Sequence, residues 1–239
     1  MTDAARTTAN PAYVIPPPAQ ASIAIAGASA RFPVRRVYCI GRNYAAHVAE
    51  MGGSADRDPP IFFQKPADAV VESGATIPYP SQTENLHHEV ELVVAIGKGG
   101  SDIAVADALD HVWGYGVGLD LTRRDIQSRD GKPWEIAKAF DRSFPVGPLS
   151  PASETGHLDR GRIWLSVNGE VVQDSDLGEL IWTIPEIISR LSAFFALAPG
   201  DVILTGTPHG VGPLSPGDRL VATVEGLQPL TVAIGPREK

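Results

Sequence analysis

The 239-residue sequence has a single cysteine, Cys39, which excludes an internal disulfide framework and fits a reducing compartment. No apolar run approaches the ~18 residues of a membrane span. The opening MTDAARTTANPAY lacks the basic-then-apolar form of a secretion signal. The expected setting is therefore cytoplasmic, with no membrane partner. Basic residues are in deficit, because 20 Lys and Arg against 28 Asp and Glu leave a net charge of −8. That balance argues against nucleic acid, whose binding leans on cationic contacts to phosphate. It still allows a locally basic pocket that takes a small acidic substrate. Several reaction signatures are missing as well. There is no G-x-S-x-G elbow, no G-x-x-x-x-G-K-[ST] phosphate loop, no H-E-x-x-H and no D-x-[DN]-x-[DN]-G calcium loop.

Turn-forming residues are abundant. Together 24 Gly and 21 Pro make 45 of 239 residues, or about 19%, against an average nearer ~12%. With no low-complexity tract to absorb them, they imply many turns and a strand-rich α+β fold. Residues 1–33, with Pro16-Pro17-Pro18 and one short strand at 22–26, read as an N-terminal arm; residues 34–239 read as one domain. Strands are expected at 34–41, 61–64, near Val70, and at 88–97, 113–121, 202–206, 219–226 and 230–234. A hairpin is expected at 163–172, turned by Asn168-Gly169. Short helices are expected at 43–51, with Asn43 as N-cap, at 106–112 and from 122 to 127. The strongest helix signal covers 184–197, with Pro185 in its first turn. This order does not fit a repeating βαβ pattern.

The chemistry concentrates in His87-His88-Glu89-Val90-Glu91-Leu92-Val93-Val94. Side chains alternate across a strand, so Glu89 and Glu91 share a face. The apolar run after them points into a core, where two adjacent carboxylates need a compensating cation. Asp120, at the end of the Gly-rich strand, is either a helix N-cap or a third ligand. An all-oxygen trio of Glu89, Glu91 and Asp120 suits Mg²⁺, Mn²⁺ or Ca²⁺ rather than Zn²⁺. His47 and Glu50, spaced i, i+3, share a helix face; such a pair is a water-activating base or an ordinary surface pair. Arg123, Arg124 and Gln127 follow Asp120 directly, and Lys65 and Lys138 each sit among apolar residues. Thr207 lies in a Gly-rich loop after a strand. Each also has a plain structural reading, as surface arginine, snorkelling lysine or turn.

Taken together, GRNYAAHVAEMG (41–52), FFQKPADAVV (62–71), LHHEVELVVAIGKGG (86–100), WGYGVGLDLTRRDIQ (113–127), PWEIAKAF (133–140) and LTGTPHGVGPLSPGD (204–218) resemble the fumarylacetoacetate hydrolase family. The resemblance is to its short form, in the branch of acylpyruvate hydrolases and the fumarylpyruvate hydrolases of gentisate breakdown. It implies a mixed β-roll of the family's C-terminal-domain type, a homodimer, and one divalent cation, Mg²⁺ first. It implies Glu89, Glu91 and Asp120 as metal ligands, and His47 with Glu50 as a water-activating pair on a lid helix. Lys138 matches a catalytic lysine, while Arg124, Gln127 and Thr207 match substrate contacts. Lys65 joins the substrate-binding set. Arg42, Lys65 and Arg123 are the candidates for holding a distal carboxylate.

The implied reaction is hydrolysis of a C–C bond in a 2,4-diketo acid, fumarylpyruvate and water giving fumarate and pyruvate. The family also performs acylpyruvate hydrolysis, and oxaloacetate decarboxylation or tautomerisation, on the same metal site. A third reading is a non-catalytic protein whose cation merely compensates buried carboxylates.

Overall fold

The computed structural model describes residues 13–53, 57–131 and 133–238. Residues 1–12 of the arm, and Lys132 and Lys239, lie outside the described residues.

An eight-stranded mixed sheet organises the chain. Its order is Ile61–Lys65, Val37–Gly41, Val202–Leu204, Val90–Ile96, Val112–Leu119, Phe144–Val146 and Val70–Glu72, with Ser150–Pro151 pairing to Val112–Leu119. The Val202–Leu204 and Val37–Gly41 strands run parallel, as do Phe144–Val146 and Val70–Glu72. A five-stranded sheet packs beside it: Glu170–Asp176, Arg162–Val167, Arg219–Val224, Leu230–Arg237 and Thr76–Tyr79. This is the expected β-rich α+β fold of mixed sheets with short helices.

Strand alternation gives the large sheet a core on each face. Tyr38, Ile40, Leu92, Val94, Val117 and Ile203 join one cluster, which also takes in the inner residues of the second sheet. Cys39, Val93, Ala95, Phe144 and Leu204 join the other. Gly114, Gly116 and Gly118 recur because the segment 148–151 and Val93 press against them. A Cβ at Gly114 would lie 2.3 Å from the Ser150 carbonyl, and one at Gly118 2.6 Å from Val93 Cγ2. The glycines therefore admit backbone and side-chain packing here.

The helix Ile184–Phe194 buries Ile187, Ile188 and Leu191, and the Glu186 carboxylate accepts from the N–H and the hydroxyl of Thr183 at its start. The expected hairpin turn is present, with Asn168 and Gly169 both at positive φ. Residues 106–112 form a 3-10 helix, Val105–His111, rather than an α-helix.

Asn43 departs from its expected role. The helix Ala45–Glu50 starts after an extended Tyr44 with no side-chain cap. Asn43 is instead fully buried: its amide donates to the Trp182 and Thr205 carbonyls (3.0 and 2.8 Å) and accepts from the Trp182 N–H (2.7 Å). Buried backbone groups need partners more than an exposed helix end does.

In the N-terminal region, Ser22–Ala24 pairs with Arg31–Pro33, and Ile23 and Phe32 lie buried in the second cluster. Leu149 holds this hairpin through backbone bonds to Ala24 and Ala26.

Candidate active site

The three acids meet through register. Val90 pairs with Leu119 and Glu91 with Gly118, and the Asp120 N–H donates to the Glu89 carbonyl at 2.9 Å. Glu89, Glu91 and Asp120 thus stand on one face at the end of an antiparallel pair, with candidate ligand atoms all within 4.8 Å of one another. All three are buried.

Cations surround them. Lys138 Nζ donates to Glu89 Oε2 (2.7 Å), Asp120 Oδ2 (2.7 Å) and Thr122 Oγ1 (2.9 Å). Arg124 donates to Glu89 Oε1 and also to Gln127. Lys65 Nζ lies 2.7 Å from Asp120 Oδ1, yet it is off-line for a hydrogen bond to that oxygen and donates to the Leu121 and Lys138 carbonyls. Glu91 Oε2 accepts from the Gly206 N–H at 2.7 Å. Gly206 is at φ +100 with a virtual Cβ 2.7 Å from Asn43 Cβ, so no other residue could present its N–H there.

The electrostatics separate the two glutamates. Burial pushes Glu89 up, but Lys138, Arg124 and His47 outweigh it and hold the carboxyl well below its ordinary range. Burial, Asp120 and then Glu89 push Glu91 well above it, only partly offset by Lys138 and Gly206. Lys138 is held protonated: burial opposes the charge, while Asp120 and Glu89 more than restore it. His87 is lowered to about 4 by burial and Arg124, so it is neutral and its Nδ1 accepts from Arg124 Nε at 3.4 Å.

Three buried carboxylates with oxygens within 4.8 Å of one another, in which Glu91 resists ionising beside the other two, make an all-oxygen set that fits a hard divalent cation.

A cavity of about 300 Å³ opens onto this set. Glu89, Glu91, Lys138, Arg124, Gln127, Thr207 and His47 line it, along with Arg42, Met51 and Trp134. His47 Nδ1 lies 3.1 Å from Glu50 Oε2, and Glu50 Oε1 accepts from the Gly210 N–H at 3.0 Å. Asp120 sits behind the wall. So does Lys65, with no side-chain exposure, which the sequence placed among the substrate contacts. Arg123 turns away and stacks on Phe140 at 4.4 Å. Sequence reasoning missed the Gly206 and Gly210 amides and the buried Gln173, for which the alternation of 170–176 carries no signal.

Mixed sheets that carry a buried all-oxygen acid set at the wall of a small cavity define a candidate metal-dependent enzyme. The fumarylacetoacetate (FAA) hydrolase C-terminal family matches residues 36–234, and this chain belongs to that family. It is 54% identical to fumarylpyruvate hydrolase from Pseudomonas aeruginosa, whose crystal structure is a complex with Mn²⁺ and pyruvate; the match covers 95% of this chain and 100% of that one, with a TM-score of 0.92. It is 45% identical to oxaloacetate tautomerase YcgM from Escherichia coli (strain K12) over 84% of this chain and 93% of that protein. To fumarylpyruvate hydrolase from a Ralstonia species it is 41% identical, over 79% of this chain and 100% of that protein. Among the described residues, no helix is long and apolar enough to cross a membrane.

Proposed function

We propose that this chain hydrolyses the C–C bond of a 2,4-diketo acid, with fumarylpyruvate as its substrate. The observation that carries the reading is that His47 and the carboxylates Glu89 and Glu91 line one cavity, with Asp120 completing the acid set behind them. A divalent cation, Mg²⁺ in this reading, held by Glu89, Glu91 and Asp120, supplies Lewis-acid stabilisation of negative charge on the keto-acid end of the substrate.

The side chains do the rest. His47 has Nδ1 turned to Glu50 and so presents Nε2 to take a proton from water. The water oxygen bonds to the distal carbonyl carbon, and the bond to the methylene of the pyruvate half breaks. The electron pair leaves on that methylene, which takes up a proton to give pyruvate, and the acyl half departs as fumarate. Lys138 balances the charge that develops. Arg124, Gln127 and Thr207 hold the keto acid. Of Arg42, Lys65 and Arg123, only Arg42 lines the cavity, which supports it as the partner of the far carboxylate.

Similarity to an oxaloacetate tautomerase favours a second reading on the same site, enol–keto exchange with no attacking water. Pyruvate release from fumarylpyruvate, acetylpyruvate and oxaloacetate, with and without EDTA, separates the two. Metal-dependent release fastest from fumarylpyruvate, and lost in His47→Ala, is the expected result. Oxaloacetate enol–keto exchange with no pyruvate from either diketo acid would select the tautomerase.

A further inference from the structure

We propose that Gln173 is a positioning residue for this reaction, its buried carboxamide fixing the Thr207 hydroxyl as a donor toward a carboxylate of the bound keto acid. The proposal rests on the reading of Thr207 as a substrate contact.

Gln173 lies on the strand Glu170–Asp176, 1% exposed and outside the cavity wall. Two of its partners leave no choice of orientation. The Val90 N–H can only donate, and it meets Oε1 at 3.0 Å; the Pro208 carbonyl can only accept, and it meets Nε2 at 2.9 Å. The other two contacts then follow. His88 Nδ1, 3.0 Å from Oε1, carries its hydrogen, and Thr207 Oγ1, 2.9 Å from Nε2, accepts. A hydroxyl that accepts from Gln173 directs its own hydrogen elsewhere. Among the described residues no protein acceptor takes that hydrogen, and Thr207 lines the cavity. A substrate carboxylate there receives a donor oriented before binding. Through Val90 the same amide also ties the loop to the residue between two of the acids.

Gln173→Glu reverses this arrangement. A carboxylate oxygen in place of Nε2 would accept the Thr207 hydrogen and withdraw it from the cavity. The test is the affinity of the Mn²⁺-loaded protein for pyruvate, read by Mn²⁺-enhanced water relaxation, alongside kcat and KM. Gln173→Glu is expected to weaken pyruvate binding about tenfold, to raise KM more than it lowers kcat, and to leave Mn²⁺ affinity unchanged. Thr207→Val is expected to cause a similar loss that Thr207→Ser restores. In a Thr207→Val background Gln173→Glu should then add nothing, because the hydroxyl it acts through is gone.

An equal further loss in that background overturns the proposal, as does a parallel loss of Mn²⁺ affinity. Thr207→Val binding pyruvate normally overturns the functional reading of Thr207 itself, and this proposal with it. If Gln173→Glu does not fold, Gln173→Met removes the donor at similar volume and is held to the same comparison.

Discussion

Lys65 Nζ stands 2.7 Å from Asp120 Oδ1, and neither side chain has any solvent exposure. The lysine approaches Asp120 from behind the cavity, while Lys138 reaches the other oxygen of the same carboxylate. The Asp120 carboxylate thus has an ammonium beside each oxygen, Lys65 at one and Lys138 at the other. Removing Lys65 leaves the buried Asp120 carboxylate to Lys138 alone, which Glu89 also claims.

Lys65→Met is accordingly expected to destabilise the fold by about 3–5 kcal/mol, measured by denaturant unfolding. Because Lys65 does not line the cavity, KM for the diketo acid should change little in the folded variant. A large rise in KM at unchanged stability would return Lys65 to the substrate site.

Divalent metal should stabilise the folded chain by mass action, by about 2.7 kcal/mol at a hundredfold excess over Kd, and EDTA should reverse this. Glu91→Gln is expected to abolish the metal-induced rise in Tm. Without metal the same variant should be no less stable than the parent, since burial, Asp120 and Glu89 already favour the uncharged form of Glu91. Calorimetry in EDTA and in Mn²⁺ checks both halves.

Arg42→Ala should raise KM for fumarylpyruvate about tenfold or more and leave acetylpyruvate, which has no far carboxylate, nearly unaffected. Parallel steady-state measurements decide it; equal losses on both substrates would remove Arg42 from the specificity role.

Asp125 gives a dependence on pH. Burial raises its carboxyl, but the Thr83 hydroxyl (2.5 Å) and the Glu84 and Ile126 N–H groups (3.1 and 3.0 Å) bond the anion and hold it below its ordinary value. Its contribution is therefore present above the unfolded value of ~3.9 and is lost as pH falls through the lower folded value. The stability gap between the parent and Asp125→Asn should be widest near neutrality and close as the solution is acidified, as acid-unfolding curves would record.

Much of the acid set was legible in the sequence, and the limits have physical causes. Strand alternation alone puts Glu89 and Glu91 on one face. The approach of Asp120 depends on pairing Val90 with Leu119, a long-range register that local periodicity cannot specify. Asn43 reads as a helix cap because the helix follows it; burial against Trp182 and Thr205 is a tertiary fact and decides otherwise. Lys65 stands out as a lysine among apolar residues, but sequence does not say which buried anion it will meet. Gln173 lies in EVVQDSD, where polar residues fall on both faces, and only the packing singles it out.

The Glu50 carboxylate has one oxygen on His47 and the other on the Gly210 amide. In the proposed reaction this makes the helix and the loop an interlock. With the helix against the loop, the carboxylate is pinned and the imidazole is aimed. Were that contact broken, Glu50 would lose the amide that orients it, and the base its alignment. The aim of the base is thus held in two places along the chain at once, and neither the helix nor the loop carries it alone.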